Sequence, residues 1–179
     1  PINNPRCLDE IVYILMCGTG VGFSVESRFT SKLPEVPQLY KTDTTIVVED
    51  SKIGWASAYR ELVHLLYAGK RPRWDPGKIR PAGERLRTFG GRASGPDSLN
   101  DLFEFTVRMF VDAQNRQLRP IELHDIVCKI GEIVVVGGVR RSAEISLSDL
   151  SDNELRHAKS GEWWRDNPYR SLANNSAVY

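Results

Sequence analysis

Apolar residues recur along the chain in two rhythms, one near three to four residues and one of two. Ile11, Val12, Ile14, Leu15 and Met16 follow Asp9 and Glu10, which predicts a short buried helix with acids in its first turn. Glycines end it, and Val21, Phe23 and Val25 then alternate with smaller or polar residues, the signature of a strand leaving a turn. "PEVPQLY" is a proline-marked loop, and "TTIVVED" is a second short strand. Asp50 or Ser51 can cap a helix starting near Ile53, on which Trp55, Tyr59, Leu62, Val63, Leu66 and Tyr67 form a core-facing stripe. From Lys70 to Pro96 the chain is rich in Pro, Gly and Arg, with room for one short strand, and irregular stretches of that length are often functional.

The clearest pattern comes next. Asp97 or Ser98 can cap a helix whose Leu99, Leu102, Phe103, Thr106, Met109, Phe110 and Ala113 share one face. Pro120 suits the first turn of another, running through Ile126, Val127 and Ile130 towards Val136. Past Gly137 and Gly138, the alternation of Ala143, Ile145 and Leu147 with Glu144, Ser146 and Ser148 predicts a half-buried strand with the apolar set inward. Ser151 and Glu154 have capping-box spacing for a helix to about Lys159. The sum is an α/β chain of alternating helices and short strands, without internal repeats or a domain boundary.

Composition narrows the function classes. With 179 residues and 41% hydrophobic content, one ordinary domain can bury a core. Lys plus Arg number 24 against 23 Asp plus Glu, so no broad field draws in nucleic acid or an anionic membrane, and any anion site must be local. No apolar run reaches the roughly 20 residues of a bilayer span and no leader opens the chain, which fits a cytoplasmic protein. Cys7, Cys17 and Cys128 are odd in number and scattered, against a disulfide framework. His124 and Cys128 share a helical face but do not make a metal site, and read as helix-surface residues. The chain opens at Pro1 and closes on "LANNSAVY", and reads as a segment of a longer one.

Three loops carry candidate chemistry. "CGTGVGF" spaces Gly18, Gly20 and Gly22 alternately, but it follows a helix and enters a strand, the reverse of a dinucleotide fingerprint. "TFGGRASGP" sets Arg92 beside a diglycine, which suits either phosphate oxygens or solvent. "GGVRRSAE" delivers Arg140 and Arg141 at the end of a buried strand, where an unpaired guanidinium is costly and an anion partner is favoured. Arg141 shares the parity of Ala143, whereas Arg140 and Ser142 take the other.

Taken in order, "MCGTGVGFSVE", "IRPAGERLRTFGGRASGP", "ELHDIVCKIGEIVVVGGVRRSAEISLSDLSD" and "GEWWRDNPYRSLANNSAVY" closely resemble the adenosylcobalamin-dependent (class II) ribonucleotide reductases, from about Pro5 to Tyr179. The resemblance implies a single segment, residues 1–179, of their ten-stranded α/β barrel, with residues 26–96 as insertion and effector-region loops. It implies thiyl-radical reduction of a ribonucleoside di- or triphosphate to the 2'-deoxyribonucleotide. Adenosylcobalamin would be bound mainly outside the segment. Further partners would be a deoxynucleoside triphosphate effector and a thioredoxin-like reductant, in a monomer or homodimer with no nucleic acid and no membrane.

By the same resemblance Gly20, Val21 and Gly22 line the substrate, joined by Arg141, Ser142 and Ala143 and by Asn174, Asn175 and Ser176 on a terminal strand. Gly137, Gly138, Val139, Arg140 and Arg92 belong to the effector or specificity loops. None of the three cysteines matches a radical or reducing cysteine, so the segment is expected to hold no catalytic residue and to be inactive alone. The large subunit of an iron-dependent reductase and a non-catalytic nucleotide-sensing module are the alternatives.

Overall fold

A computed structural model describes residues 1–85, 92–136 and 143–179. Helix α1 (Arg6–Met16) leads into strand β1 (Val21–Ser24) and a single helical turn, α2 (Ser27–Thr30). Strand β2 (Tyr40–Val47), helix α3 (Lys52–Tyr67) and strand β3 (Lys70–Asp75) follow. Helices α4 (Asp97–Asp112) and α5 (Pro120–Val136) precede strand β4 (Glu144–Asp149). Two short helices, α6 (Asn153–Arg156) and α7 (Trp163–Asp166), and a 3-10 turn over Pro168–Leu172 lead to strand β5 (Ala173–Val178).

The strands form two parallel sheets, β1-β4-β5 and β2-β3, the parallel pairing that helical crossovers produce. The chain is therefore mixed α/β, and residues 26–96 include the β2-α3-β3 unit as well as loops. No helix among the described residues is long and apolar enough to cross a membrane.

The core lies where α1, α3, α4 and α5 meet. Val12 and Leu15 of α1, Tyr59, Leu62 and Leu66 of α3, Leu102, Phe103 and Phe110 of α4, and Leu123, Ile126 and Val127 of α5 are all fully buried. Tyr59 donates to Thr106 Oγ1 at 2.9 Å, and Thr106 in turn donates to the Leu102 carbonyl, so the two core hydroxyls satisfy each other. Trp74 seats β3 on this core, its ring edge-on to Phe103 and its indole N–H on Asn100 Oδ1.

Three local expectations are corrected. Helix α4 starts after Pro96 without a side-chain cap, because Ser98 donates instead to Ser94. Helix α6 is capped by Asp152, whose carboxylate accepts from Leu155 N, and not by Ser151; Glu154 pairs with Arg119. The third concerns β4. Glu144 and Ser146 are each 1% exposed while Ile145 is 49% exposed and Ala143 is also exposed, so the polar set faces inward. Alternation fixes parity but not which face is covered, and α5 packs on the face carrying Glu144 and Ser146.

Candidate functional site

The glycine loop, the exit of the arginine loop and the terminal strand converge on the β1-β4-β5 sheet. Gly22 lies beside Ile145 and Ile145 beside Asn174 in one row, and Ser24, Leu147 and Ser176 form the row two residues on. Because side chains alternate across a strand, these rows share the face away from α5. On it Gly22, Ile145, Asn174 and Ser176 are exposed, and a Cβ on Gly22 would meet nothing within 4 Å. That leaves room at the level of the backbone for a flat or polar ligand.

Gly20 is favoured for a different reason. A Cβ there would sit 3.2 Å from the Ala143 carbonyl oxygen, the same oxygen that accepts from Val21 N at 2.9 Å. The glycine loop is thus sewn to the first described residue after the arginine loop. Gly18, with φ of +81°, makes the turn out of α1. Helix then turn then strand is the local order, as the sequence pattern predicts.

The opposite face holds an unusual polar layer. Val21, Glu144 and Ala173 form one row, and Phe23, Ser146 and Asn175 the next. Asn175 accordingly turns towards α5, where its amide donates to His124 Nε2 at 2.9 Å, and Phe23 stacks obliquely over the same imidazole. Of the three terminal-strand candidates, then, Asn174 and Ser176 reach the open face while Asn175 addresses the helix behind it. His124 and Cys128 are fully buried and in contact, correcting their reading as helix-surface residues. Burial pushes the Cys128 thiol well above its ordinary range, reinforced by the Glu144 carboxyl, which makes it a poor nucleophile. The Glu144 carboxyl has no hydrogen-bond partner at either oxygen, and burial raises its pKa to about 8.

Asp125, next to His124, is held by Arg170 through two bonds, Nε to Oδ1 at 2.7 Å and Nη2 to Oδ2 at 2.6 Å. Burial works against the Arg170 charge, but the paired carboxylate more than compensates and raises its pKa.

Arg92 lies apart from this centre. Its Nη1 donates to the Gly83 carbonyl at 2.9 Å and its backbone bridges Arg85, closing the neck of its own loop. Gly137, Gly138, Val139, Arg140, Arg141 and Ser142 lie outside the described residues.

Sequence reasoning missed His124, Asp125, Arg170 and Glu144. The pattern pointed the other way for Asp125: Glu122, Asp125, Lys129 and Glu132 recur at three- and four-residue spacing and read as a solvent face, yet the first three are buried.

No protein-family model matches the chain. Curated relatives do. An adenosylcobalamin-dependent ribonucleoside-triphosphate reductase of Euglena gracilis is 31% identical over 92% of this chain and 22% of its own length. A putative enzyme of the same name from Mycobacterium phage D29 is 29% identical over 86% of this chain and 29% of its own, and that of Lactobacillus gasseri is 28% identical over 79% and 24%. The chain therefore spans between 22% and 29% of the length of these relatives. A crystal structure of a B12-dependent (class II) ribonucleotide reductase superposes with a TM-score of 0.84 at 24% identity, covering 96% of this chain and 28% of that one. Over the portion they share, the chain is a relative of the adenosylcobalamin-dependent (class II) ribonucleotide reductases, in sequence and in fold.

Proposed function

We propose that the chain is the part of a ribonucleotide reductase that lines the substrate and carries the specificity loop, within a longer protein that makes 2'-deoxyribonucleotides. One observation carries this reading: Gly22, Ile145 and Asn174, distant in sequence, meet in one exposed row whose flanks are the glycine loop and the exit of the arginine loop. Gly20, Val21 and Gly22 would let the nucleotide approach the backbone, and Asn174 and Ser176 would supply polar contacts. Arg140 and Arg141 would link this face to a deoxynucleotide effector, the Ala143 carbonyl joining their loop to the glycine loop. The relatives are named as triphosphate reductases, which favours a ribonucleoside triphosphate as substrate, in a cytoplasmic enzyme served by a thioredoxin-like reductant.

The described residues do not fit a cobalamin. His124 is committed to Asp125 and Asn175 at 0% exposure, His157 stands on an exposed surface, and the pocket that His64 lines, about 300 Å³, is too small for a corrinoid. Adenosylcobalamin, which supplies radical initiation when bound, would therefore be held by other parts of the full-length enzyme. The radical and reducing cysteines would lie there too, leaving this segment inactive alone.

The test is ribonucleotide reduction by the full-length protein. Activity that requires adenosylcobalamin supports the reading, and in that enzyme Arg141→Ala should flatten effector-dependent base selection while leaving thermal stability nearly unchanged. Activity that requires an iron-containing partner instead identifies the other reductase class. Nucleotide binding without reduction identifies a sensing module.

A further inference from the structure

Behind the open face runs a continuous line of polar groups. It starts at Arg170 in the 3-10 turn, passes through Asp125 and His124 on α5, and ends on Asn175 of β5. Side-chain exposure along it is 14% for Arg170, 5% for Asp125 and 0% for His124, and the line surfaces at Asn175, which is exposed. Each member has one defined role. Arg170 only donates and fixes the Asp125 carboxylate through two bonds. Asp125 Oδ1 then lies 3.1 Å from His124 Nδ1 and, as a carboxylate, can only accept, which places the ring proton on Nδ1. Nε2 is left as a lone pair, and the Asn175 amide donates to it.

The surroundings bear on what this line is for. Helix α5 is otherwise packed with Ile121, Leu123, Ile126, Val127 and Ile130, and an apolar side chain at position 124 would fill the space without burying an imidazole. A polar line in that place adds direction more than stability. Its terminus, Asn175, alternates with Asn174 and Ser176, so the bond that draws Asn175 down to α5 sets the rotation of β5 that turns its two neighbours up to the open face.

We propose that His124 is a positioning residue: by accepting from Asn175 it fixes the orientation of β5, and through it the presentation of Asn174 and Ser176 to the nucleotide. This rests on the reading of the open face as a substrate surface. It concerns groups that touch no ligand themselves.

Two polar replacements separate the bonds. Gln can offer its amide oxygen near the position of Nε2 and keep the acceptor for Asn175, whereas Asn reaches only as far as Nδ1 and keeps the contact to Asp125 alone. In the full-length enzyme, His124→Asn should raise the KM for ribonucleotide about tenfold with kcat within about threefold, and His124→Gln should stay within about twofold of the parent, as loss or retention of one partly buried hydrogen bond implies. Asn175→Ala, which leaves α5 intact, should raise KM as His124→Asn does, and the two together should do no more than either. Equal KM values for His124→Asn and His124→Gln, or a parent-like KM for Asn175→Ala should both α5 variants fail to fold, overturn the proposal. A role confined to folding would lower the melting temperature of His124→Asn and leave its KM in place, and that result also overturns it. A parent enzyme that neither binds nor reduces ribonucleotides refutes the substrate-surface reading itself, a failure visible before any variant is made.

Discussion

Gly131 on α5 faces the Glu144 carboxyl so closely that a Cβ at position 131 would lie 2.6 Å from Oε1 and 2.9 Å from Cδ. Glycine within a helix ordinarily costs about 0.5–1 kcal/mol relative to alanine. Here the buried Glu144 carboxyl occupies the place of the missing methyl, so the usual gain on substitution should reverse. Gly131→Ala should destabilise the fold by about 1–3 kcal/mol in urea unfolding, the range for forcing a methyl into a packed interior. Combined with Glu144→Ala, which removes the obstructing carboxyl, the same change should cost less than it does alone.

Glu144 also sets a pH dependence. Its pKa is raised to about 8 in the fold from an ordinary 4.5, so the folded state holds a proton that the unfolded chain releases. The sign follows: the contribution is fully present below about pH 4.5 and is lost as pH rises towards 8, by an amount on the order of a few kcal/mol. Glu144→Gln should match the parent near pH 4 and exceed it near pH 9. Parallel stability curves for the two proteins across that range would contradict the assignment.

Glu122 acts in the opposite sense. Burial disfavours its charge, but bonds from Arg116 at 2.8 Å to each oxygen, with further bonds from Arg119, more than reverse this and hold the carboxyl below its ordinary range. Its contribution is therefore present above the unfolded pKa and disappears as pH falls through the folded one. Glu122→Gln should cost about 2 kcal/mol at neutral pH and remove part of the parent's loss of stability in acid, measured by thermal melts between pH 2 and 7.

Asp125 is buried and Arg170 is partly so, and breaking one member leaves the other charged and unpaired. Asp125→Leu or Arg170→Leu alone should each cost about 3–5 kcal/mol, while the double replacement should cost far less than their sum. Additive costs would mean that the two residues stabilise the fold independently.

Much of the fold was legible in the sequence, for reasons that particular residues make plain. Helix α4 declared itself because Leu99, Leu102, Phe103, Thr106 and Phe110 hold one periodic face, and Ser51 does cap α3, accepting from Gly54 N at 2.9 Å. The alternation in β4 was also legible, but its sense was not. A strand between helices and an open face carries two candidate interiors, and the apolar residues Ile145 and Leu147 name a covered side only if the far side is solvent. The polar line from Arg170 to Asn175 was invisible because its members come from three segments up to 51 residues apart, and only folding makes them neighbours. Of the candidate residues, Gly22, Asn174 and Ser176 share the open face, while the placing of Asn175 towards α5 needed the strand register.

The Ala143 carbonyl is a single shared fastening between two loops that sequence treats as separate. One lone pair receives Val21 N, and a side chain at residue 20 would crowd it at 3.2 Å. The glycine loop and the segment leaving the arginine loop are therefore coupled mechanically at one atom. A shift of either is passed to the other through this carbonyl before any ligand is involved.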